Sequence, residues 1–499
     1  MTSEVLALLL ASLFAAGAFA DDPPARAVPS AFVSGVPSAI VSAHQALASA
    51  AAEGFTPSLG RLPSIDDIKA VTGLNGAQIA QLPVRILNVP GYANLTDDGW
   101  NILFHGQAYR QPLEDSATLD YLASGFLPGK FISELAEEQQ RQARNLTAAI
   151  YSLPVPNLPL TLSLYNTTRD ADAEESPLAK VTLPLPTDVR GEFNQFFPLG
   201  NSIPRDLRER VHRLEVRTNT GELGNSSSYL VPPEGITFLA DVDDVLRATR
   251  IYAPAAGLLN NTFANSFRPW LNMPALYTHW RDTIPTAHFH YLTTTPEPAT
   301  RLYEAFTLAH YPPGSFDTRP WNFTTFDQTF RVRSVALRRA LQTFPHRRFV
   351  LLGDTANGDV MRDYPLLAKE YGNVQCVLIR NVSATDSYNL LPYDTREFAR
   401  LDNSTYFFFQ KPDDLMGLDI AGGQCVNNSV PQHVRFGWQN LLTDLESGAD
   451  PVWLARTLVW TSTLLATVLG AIALRASWRW QKLKRRRQHR HDGAKEKAK

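Results

Sequence analysis

The chain has 499 residues, 44% of them hydrophobic, with 35 prolines, 28 glycines and a net charge of −2. That length exceeds one ordinary domain and leaves room for two sizeable cores, in a loop-rich globular protein. Eleven Lys or Arg residues crowd into the last twenty-five positions. They sit beside an apolar segment and not across a domain face, which argues against nucleic acid as a partner, and two cysteines exclude a disulfide scaffold or a four-cysteine zinc site.

Residues 1–20 read as a signal peptide. Val5–Phe19 is apolar and short, and Ala18-Phe19-Ala20 is a small-x-small cleavage site before Asp21-Asp22. Fifteen apolar residues span too little bilayer to favour an uncleaved anchor. Residues 21–64, rich in Ala, Pro and Ser, form a leader without ordering signals. Residues 65–232 read as a mainly β, sandwich-like accessory domain. Short alternating runs at Val84–Val89, Leu160–Leu164, Val181–Leu185 and Leu214–Thr218 are separated by Pro, Gly and Asn clusters, and one helix is expected over Phe131–Ala143.

From Gly235 the pattern changes. The apolar run Ile236–Ala240 ends in Asp241-Val-Asp243-Asp244, three carboxylates within four positions. A second run, His288–Leu292, leads into Thr293-Thr294-Thr295-Pro296. A third, Phe349–Leu352, leads into Gly353-Asp354-Thr-Ala-Asn-Gly-Asp359. Helical spacing is clearest over Met273–Arg281 and Val332–Phe344. Strands alternating with helices predict an α/β fold with a parallel sheet over residues 235–425, and ligands of such sheets bind beyond the carboxyl ends of the strands.

Residues 426–450 read as a polar tether and 452–475 as a single transmembrane helix. Thr457–Leu474 carries no charge and no proline, and eighteen residues at 1.5 Å each span about 27 Å. Trp453, Trp478 and Trp480 flank it as interfacial residues. The basic tail, 476–499, belongs in the cytosol by the positive-inside rule, which predicts a type I single-pass protein of the secretory pathway with everything before the anchor in the lumen. Nine Asn-x-Ser/Thr sequons agree, at Asn94, Asn145, Asn166, Asn225, Asn260, Asn322, Asn381, Asn403 and Asn427, all ahead of the anchor. Cys376 and Cys425 are both lumenal on this reading, where a disulfide persists; a buried free thiol at Cys376, inside Val374–Ile379, is equally consistent. The terminal Lys495-Glu-Lys497-Ala-Lys499 resembles a dilysine retrieval signal, which implies coat-protein recognition and residence in the endoplasmic reticulum; a solvated lysine-rich tail is the plainer reading.

The carboxylate pair Asp241 and Asp243, the hydroxyl after the second run and the Gly-Asp after the third resemble, in order, the motifs of haloacid-dehalogenase-type phosphatases. The spacers Phe267-Arg-Pro-Trp270, Met273-Pro-Ala-Leu-Tyr277, Tyr311-Pro-Pro-Gly-Ser-Phe316 and Phe344-Pro-His-Arg-Arg-Phe-Val350 are similar to one branch, the actin-patch-type phosphatidate phosphatases. The resemblance implies a haloacid-dehalogenase-like Rossmannoid sheet and a Mg²⁺ cofactor. It also implies a lipid substrate in the membrane, with phosphatidate converted to diacylglycerol.

It further implies that Asp241 is the nucleophile, that Asp243 is the general acid and then base, and that both hold the metal with Asp354. Thr293 matches the hydroxyl that bonds the phosphoryl group, with Thr294 and Thr295 as neighbours that could serve. From the residues themselves, Asp359 is either a second metal contact or a loop residue, Asp244 a helix-start residue, and His288 and His290 packed or exposed histidines, with a ligand pair as the alternative. A carboxylate suits the nucleophile because its ordinary pKa leaves it ionised. The family's lysine between the hydroxyl and Gly-Asp motifs is absent, since no lysine occurs between Pro296 and Gly353. By spacing, Arg333 falls nearest its place; the alternative is a solvated arginine on the outer face of its helix. Other readings are a lumenal phosphatase for a soluble or protein-bound phosphate, and a degenerate binding or scaffold protein.

Overall fold

A computed structural model describes residues 65–432, apart from positions 114, 125, 128–131, 168–175, 201, 204–206, 208, 251–259, 297–298, 320–325, 387–394, 396 and 431. The expected signal peptide, leader, membrane helix, basic tail and most of the tether lie outside the described residues. No helix among the described residues is long and apolar enough to cross a membrane.

The N-terminal part contributes strands β1 (Arg85–Val89), β2 (Gly91–Thr96) and β3 (Gly99–Arg110), then helices α1 (Ser116–Ser124) and α2 (Glu137–Ile150). It continues with β4 (Leu153–Pro154), β5 (Thr161–Asn166), β6 (Ala179–Thr182), β7 (Glu192–Gly200), β8 (His212–Thr218) and β9 (Ser226–Val231). All nine strands belong to one hydrogen-bonded network, ordered β1-β3-β2-β9-β8-β5-β6, with β4 and β7 also on β3. The twelve-residue β3 joins the network, pairing with β1 and β2 and with β7. The inward-facing Ile86, Trp100, Phe104, Leu162, Val181, Phe193 and Val216 share one core.

The expected helix over Phe131–Ala143 starts later and ends later, at Glu137–Ile150. Gln139 caps it by accepting the Ala136 N–H at 3.1 Å. Its second half buries Leu146 and Ala148 against Leu119 and Leu122 of α1, and that tertiary contact extends the helix past the polar stretch that marked it in the sequence.

The C-terminal part alternates as expected: β10 (Ile236–Asp241), α3 (Met273–Thr283), β11 (His288–Pro296), α4 (Thr300–His310), β12 (Ser315–Arg319), α5 (Phe326–Thr343), β13 (Arg348–Asp354), α6 (Gly358–Glu370), β14 (Val374–Arg380) and β15 (Tyr406–Phe409). The sheet is six-stranded, ordered β12-β11-β10-β13-β14-β15, and every pairing is parallel. Strands buried on both faces read as unbroken apolar runs, and here alternate residues divide between two cores. Phe238, Ala240, Val350 and Leu352 pack against Leu276, Tyr277 and Trp280 of α3. Leu239, Leu351, Val377 and Ile379 pack against Leu337 and Leu341 of α5 and Val360 and Tyr364 of α6. Gly353 permits that approach, because a Cβ there would lie 2.4 Å from Val360 Cγ1.

Counted from β10, the order is 3-2-1-4-5-6, which reverses direction between β10 and β13. Crevices at such a reversal, outside the carboxyl ends of the strands, are where doubly wound sheets bind ligands. The two sheets also touch: Phe316 N–H donates to Pro90 O at 2.8 Å, and Arg301 Nη2 to Ile86 O at 2.5 Å.

Candidate active site

Asp241 is the last residue of β10 and Asp354 the last of β13, so the two carboxylates flank the point where strand order reverses. Both are fully buried. Asp241 Oδ2 accepts from Asn357 Nδ2 at 2.9 Å and lies 2.7 Å from Arg333 Nη1. Asp354 Oδ1 accepts the Ala356 N–H at 2.7 Å. Their remaining oxygens, Asp241 Oδ1 and Asp354 Oδ2, are buried without a hydrogen-bond partner. Two unpaired carboxylate oxygens out of water are costly unless a cation completes them.

The electrostatics say the same. Burial pushes the Asp241 carboxyl up to about 7; Arg333 pulls it down, while the charges of Asp243 and Asp359 push it up. Burial, followed by the charges of Asp244 and Asp241, holds Asp354 well above the usual carboxylate range. The nucleophile expected from the sequence to be ionised by its ordinary pKa is therefore not ordinary, because desolvation outweighs its one guanidinium partner. Among the described residues no group of three or more His, Cys, Asp or Glu side chains could hold a metal alone. Mg²⁺ needs only one or two carboxylates, filling its octahedron with water and substrate oxygens, so the orphaned pair fits that ion.

Asp243 sits in a cage of hydroxyls. Its Oδ1 accepts from Thr249 Oγ1 at 2.6 Å and Tyr303 OH at 2.9 Å, and its Oδ2 from Thr293 Oγ1 at 2.9 Å. Thr293 is thus at the site, while the side chains of Thr294 and Thr295 lie outside the described residues. Asp244 does not start a helix. It adopts a left-handed φ of +59°, and its carboxylate takes the N–H groups of Thr249 and Arg250 at 3.0 and 2.6 Å, closing a tight turn that returns the chain onto Asp243.

Arg333, on α5, is buried and not on a solvated face. It bridges two carboxylates, with Nη1 on Asp241 and Nε on Asp359 Oδ2 at 2.7 Å. The other Asp359 oxygen accepts the Val360 N–H at 3.2 Å, so the structure gives Asp359 to the guanidinium. His288 and His290 are packed, as expected, both against Ser315 Oγ at 2.9 and 2.7 Å; His290 also pairs with Asp317 at 3.2 Å. Cys376 and Cys425 are joined in a disulfide. Of the described sequons, Asn145, Asn225 and Asn403 are exposed, while Asn94, Asn166, Asn381 and Asn427 are partly covered.

Five residues at the site escaped sequence reasoning, Thr249 beside Asp243 among them. Asn357 lies inside the Gly-Asp motif and its spacing could have flagged it. Arg380, at the end of β14, donates to Asp244 O at 2.5 Å and lies 4.0 Å over Trp270. Arg247 and Tyr303 back Asp243, and no motif marked either of them.

Residues 236–381 match the family model described as the catalytic domain of the phosphatidate phosphatase APP1. The phosphatidate phosphatase APP1 of Saccharomyces cerevisiae is 23% identical over 188 residues, covering 36% of this chain and 32% of that protein. The chain therefore matches about a third of the length of that relative.

Proposed function

We propose, from the match of residues 236–381 to the catalytic-domain family of the APP1 phosphatidate phosphatase, that this chain is a Mg²⁺-dependent phosphatase of a lipid phosphate monoester, converting phosphatidate to diacylglycerol. The observation that carries the reading is the pair of buried, unsatisfied carboxylate oxygens on Asp241 and Asp354 at the strand-order reversal.

Mg²⁺ held by Asp241 and Asp354 would offset the negative charge that an anionic phosphate brings to two carboxylates. Asp241 attacks phosphorus, and the bond to the leaving oxygen breaks as the aspartyl-phosphate forms. Asp243 gives the leaving oxygen a proton, then takes one from the water that hydrolyses the intermediate. Arg333 favours Asp241 as a carboxylate and stands where the family's lysine stands; its fork suits phosphoryl oxygens too. Thr293 bonds the phosphoryl group or, as here, steadies Asp243.

We place the catalytic part in the lumen of the endoplasmic reticulum, anchored by Thr457–Leu474. The Cys376–Cys425 disulfide supports an oxidising compartment, and the terminal lysines support retrieval by coat proteins. The deciding experiment is phosphate release by the purified chain from a panel of lipid and soluble phosphate esters, with and without a chelator. Hydrolysis of phosphatidate that returns with Mg²⁺ and is lost in Asp241→Asn is expected. Turnover by Asp241→Asn at the parent rate would sink the assignment, and a preference for soluble esters would favour the second substrate class.

A further inference from the structure

We propose that Tyr303, backed by Arg247, is the positioning residue that aims Asp243 in the reaction. Tyr303 stands on α4, sixty residues beyond the carboxylate it touches, and is fully buried. Its hydroxyl meets two groups of opposite character. Arg247 Nη1 donates to it at 2.8 Å, and it lies 2.9 Å from Asp243 Oδ1. A guanidinium only donates and a phenol has a single proton, so the Arg247 contact directs that proton onto Asp243.

Arg247 is itself immobilised. Its guanidinium lies 3.3 Å over the ring of Phe267, and Nη2 donates to Asn261 O at 2.5 Å. Its Nη1 stays 3.5 Å from Asp243 Oδ1, so the closer hydrogen bond passes through the tyrosine. Thr249, Thr293 and Tyr303 come from the turn after β10, from β11 and from α4. Three donors from three elements fix the rotamer of a side chain that would otherwise choose among several staggered wells. A proton donor gains from being held at its target, and small misplacements are expensive in rate.

This role rests on the phosphatase reading, and the test separates the two. In Tyr303→Phe the ring stays and only the oxygen leaves. With the full chain, kcat/KM for an alkyl phosphate, whose leaving oxygen needs a proton, should fall about 10-fold, a fraction of the ~10²-fold or more that proton donation contributes. For p-nitrophenyl phosphate, whose leaving group departs unprotonated, kcat/KM should change less than about twofold, because that ratio reports only the steps up to phosphoenzyme formation. In thermal melts the effects of Tyr303→Phe and Asp243→Asn should be less than additive, as for groups in contact. An unchanged alkyl ester rate, an equal fall for both esters, or additive melting shifts would overturn the proposal. A parent chain inactive on both esters would sink the phosphatase reading, and this role with it, an outcome distinct from an active parent indifferent to Tyr303→Phe.

Discussion

Arg333 Nη1 and Asp241 Oδ2 form an ion pair of 2.7 Å with both side chains buried, the only direct cation on that carboxylate among the described residues. Because the same guanidinium also holds Asp359, removing it strands two carboxylates out of water. Arg333→Ala is expected to lower the hydrolytic rate on the order of 10²-fold, typical for loss of one transition-state partner. It should also destabilise the fold by about 3 kcal/mol or more, as breaking a buried pair does. Arg333→Lys restores a point charge and should keep the rate within about an order of magnitude of the parent. Steady-state kinetics and thermal melts of both variants check this; full activity in Arg333→Ala would leave the ion pair without a catalytic role.

The carboxylate pair gives a metal effect with a definite sign. Asp241 is pushed up to about 7 in the folded chain, against about 4 for an unfolded aspartate. Between those values the folded state holds the extra proton, so this stabilisation is full below about pH 4 and is lost as pH rises through about 7. Asp354, also raised, acts in the same direction. A divalent cation favours the ionised forms, so Mg²⁺ should raise the melting temperature more at pH 8 than at pH 5. Equal increments at the two pH values, or none, would count against a metal on this pair.

Glu304 offers a further test. Burial pushes its carboxyl up to about 8, with Arg301 opposing, and its Oε1 is buried without a hydrogen-bond partner. Its contribution to stability therefore falls as pH rises through about 8. Glu304→Gln, which cannot ionise, should match the parent in stability near pH 4, and its advantage should grow as pH rises towards 8, by about 1.4 kcal/mol per pH unit. A difference that does not depend on pH would show that Glu304 is ionised at little cost.

The proposed topology is tested on membranes. A glycosidase should shift the gel mobility of the chain, and the exposed Asn145, Asn225 and Asn403 are the expected carriers. A glycan on Asn94, whose Oδ1 is buried and whose backbone pairs with β3 and β9, would displace its neighbours. Protease added to sealed microsomes should trim only the basic tail; digestion of residues 236–381 would place the catalytic part in the cytosol.

The sequence by itself determined the parallel sheet and the places where its strands end. Unbroken apolar runs closing in Asp241, Thr293 and Asp354 encode strands buried on both faces with polar residues at one end, and that information is local. It also supplied the spacing that brought Arg333 to attention. Only the tertiary structure decided what these groups touch. It turned Asp359 from a possible metal contact into a partner of Arg333 and Asp244 from a helix start into a left-handed turn. It paired Cys376 with Cys425, 49 positions apart, and brought Tyr303 to Asp243 across sixty. Periodicity records which face of an element is buried, but not which side chain of a distant element will meet it there. Hydrogen-bond geometry depends on packing accurate to fractions of an ångström, and that accuracy arises only when the whole core closes.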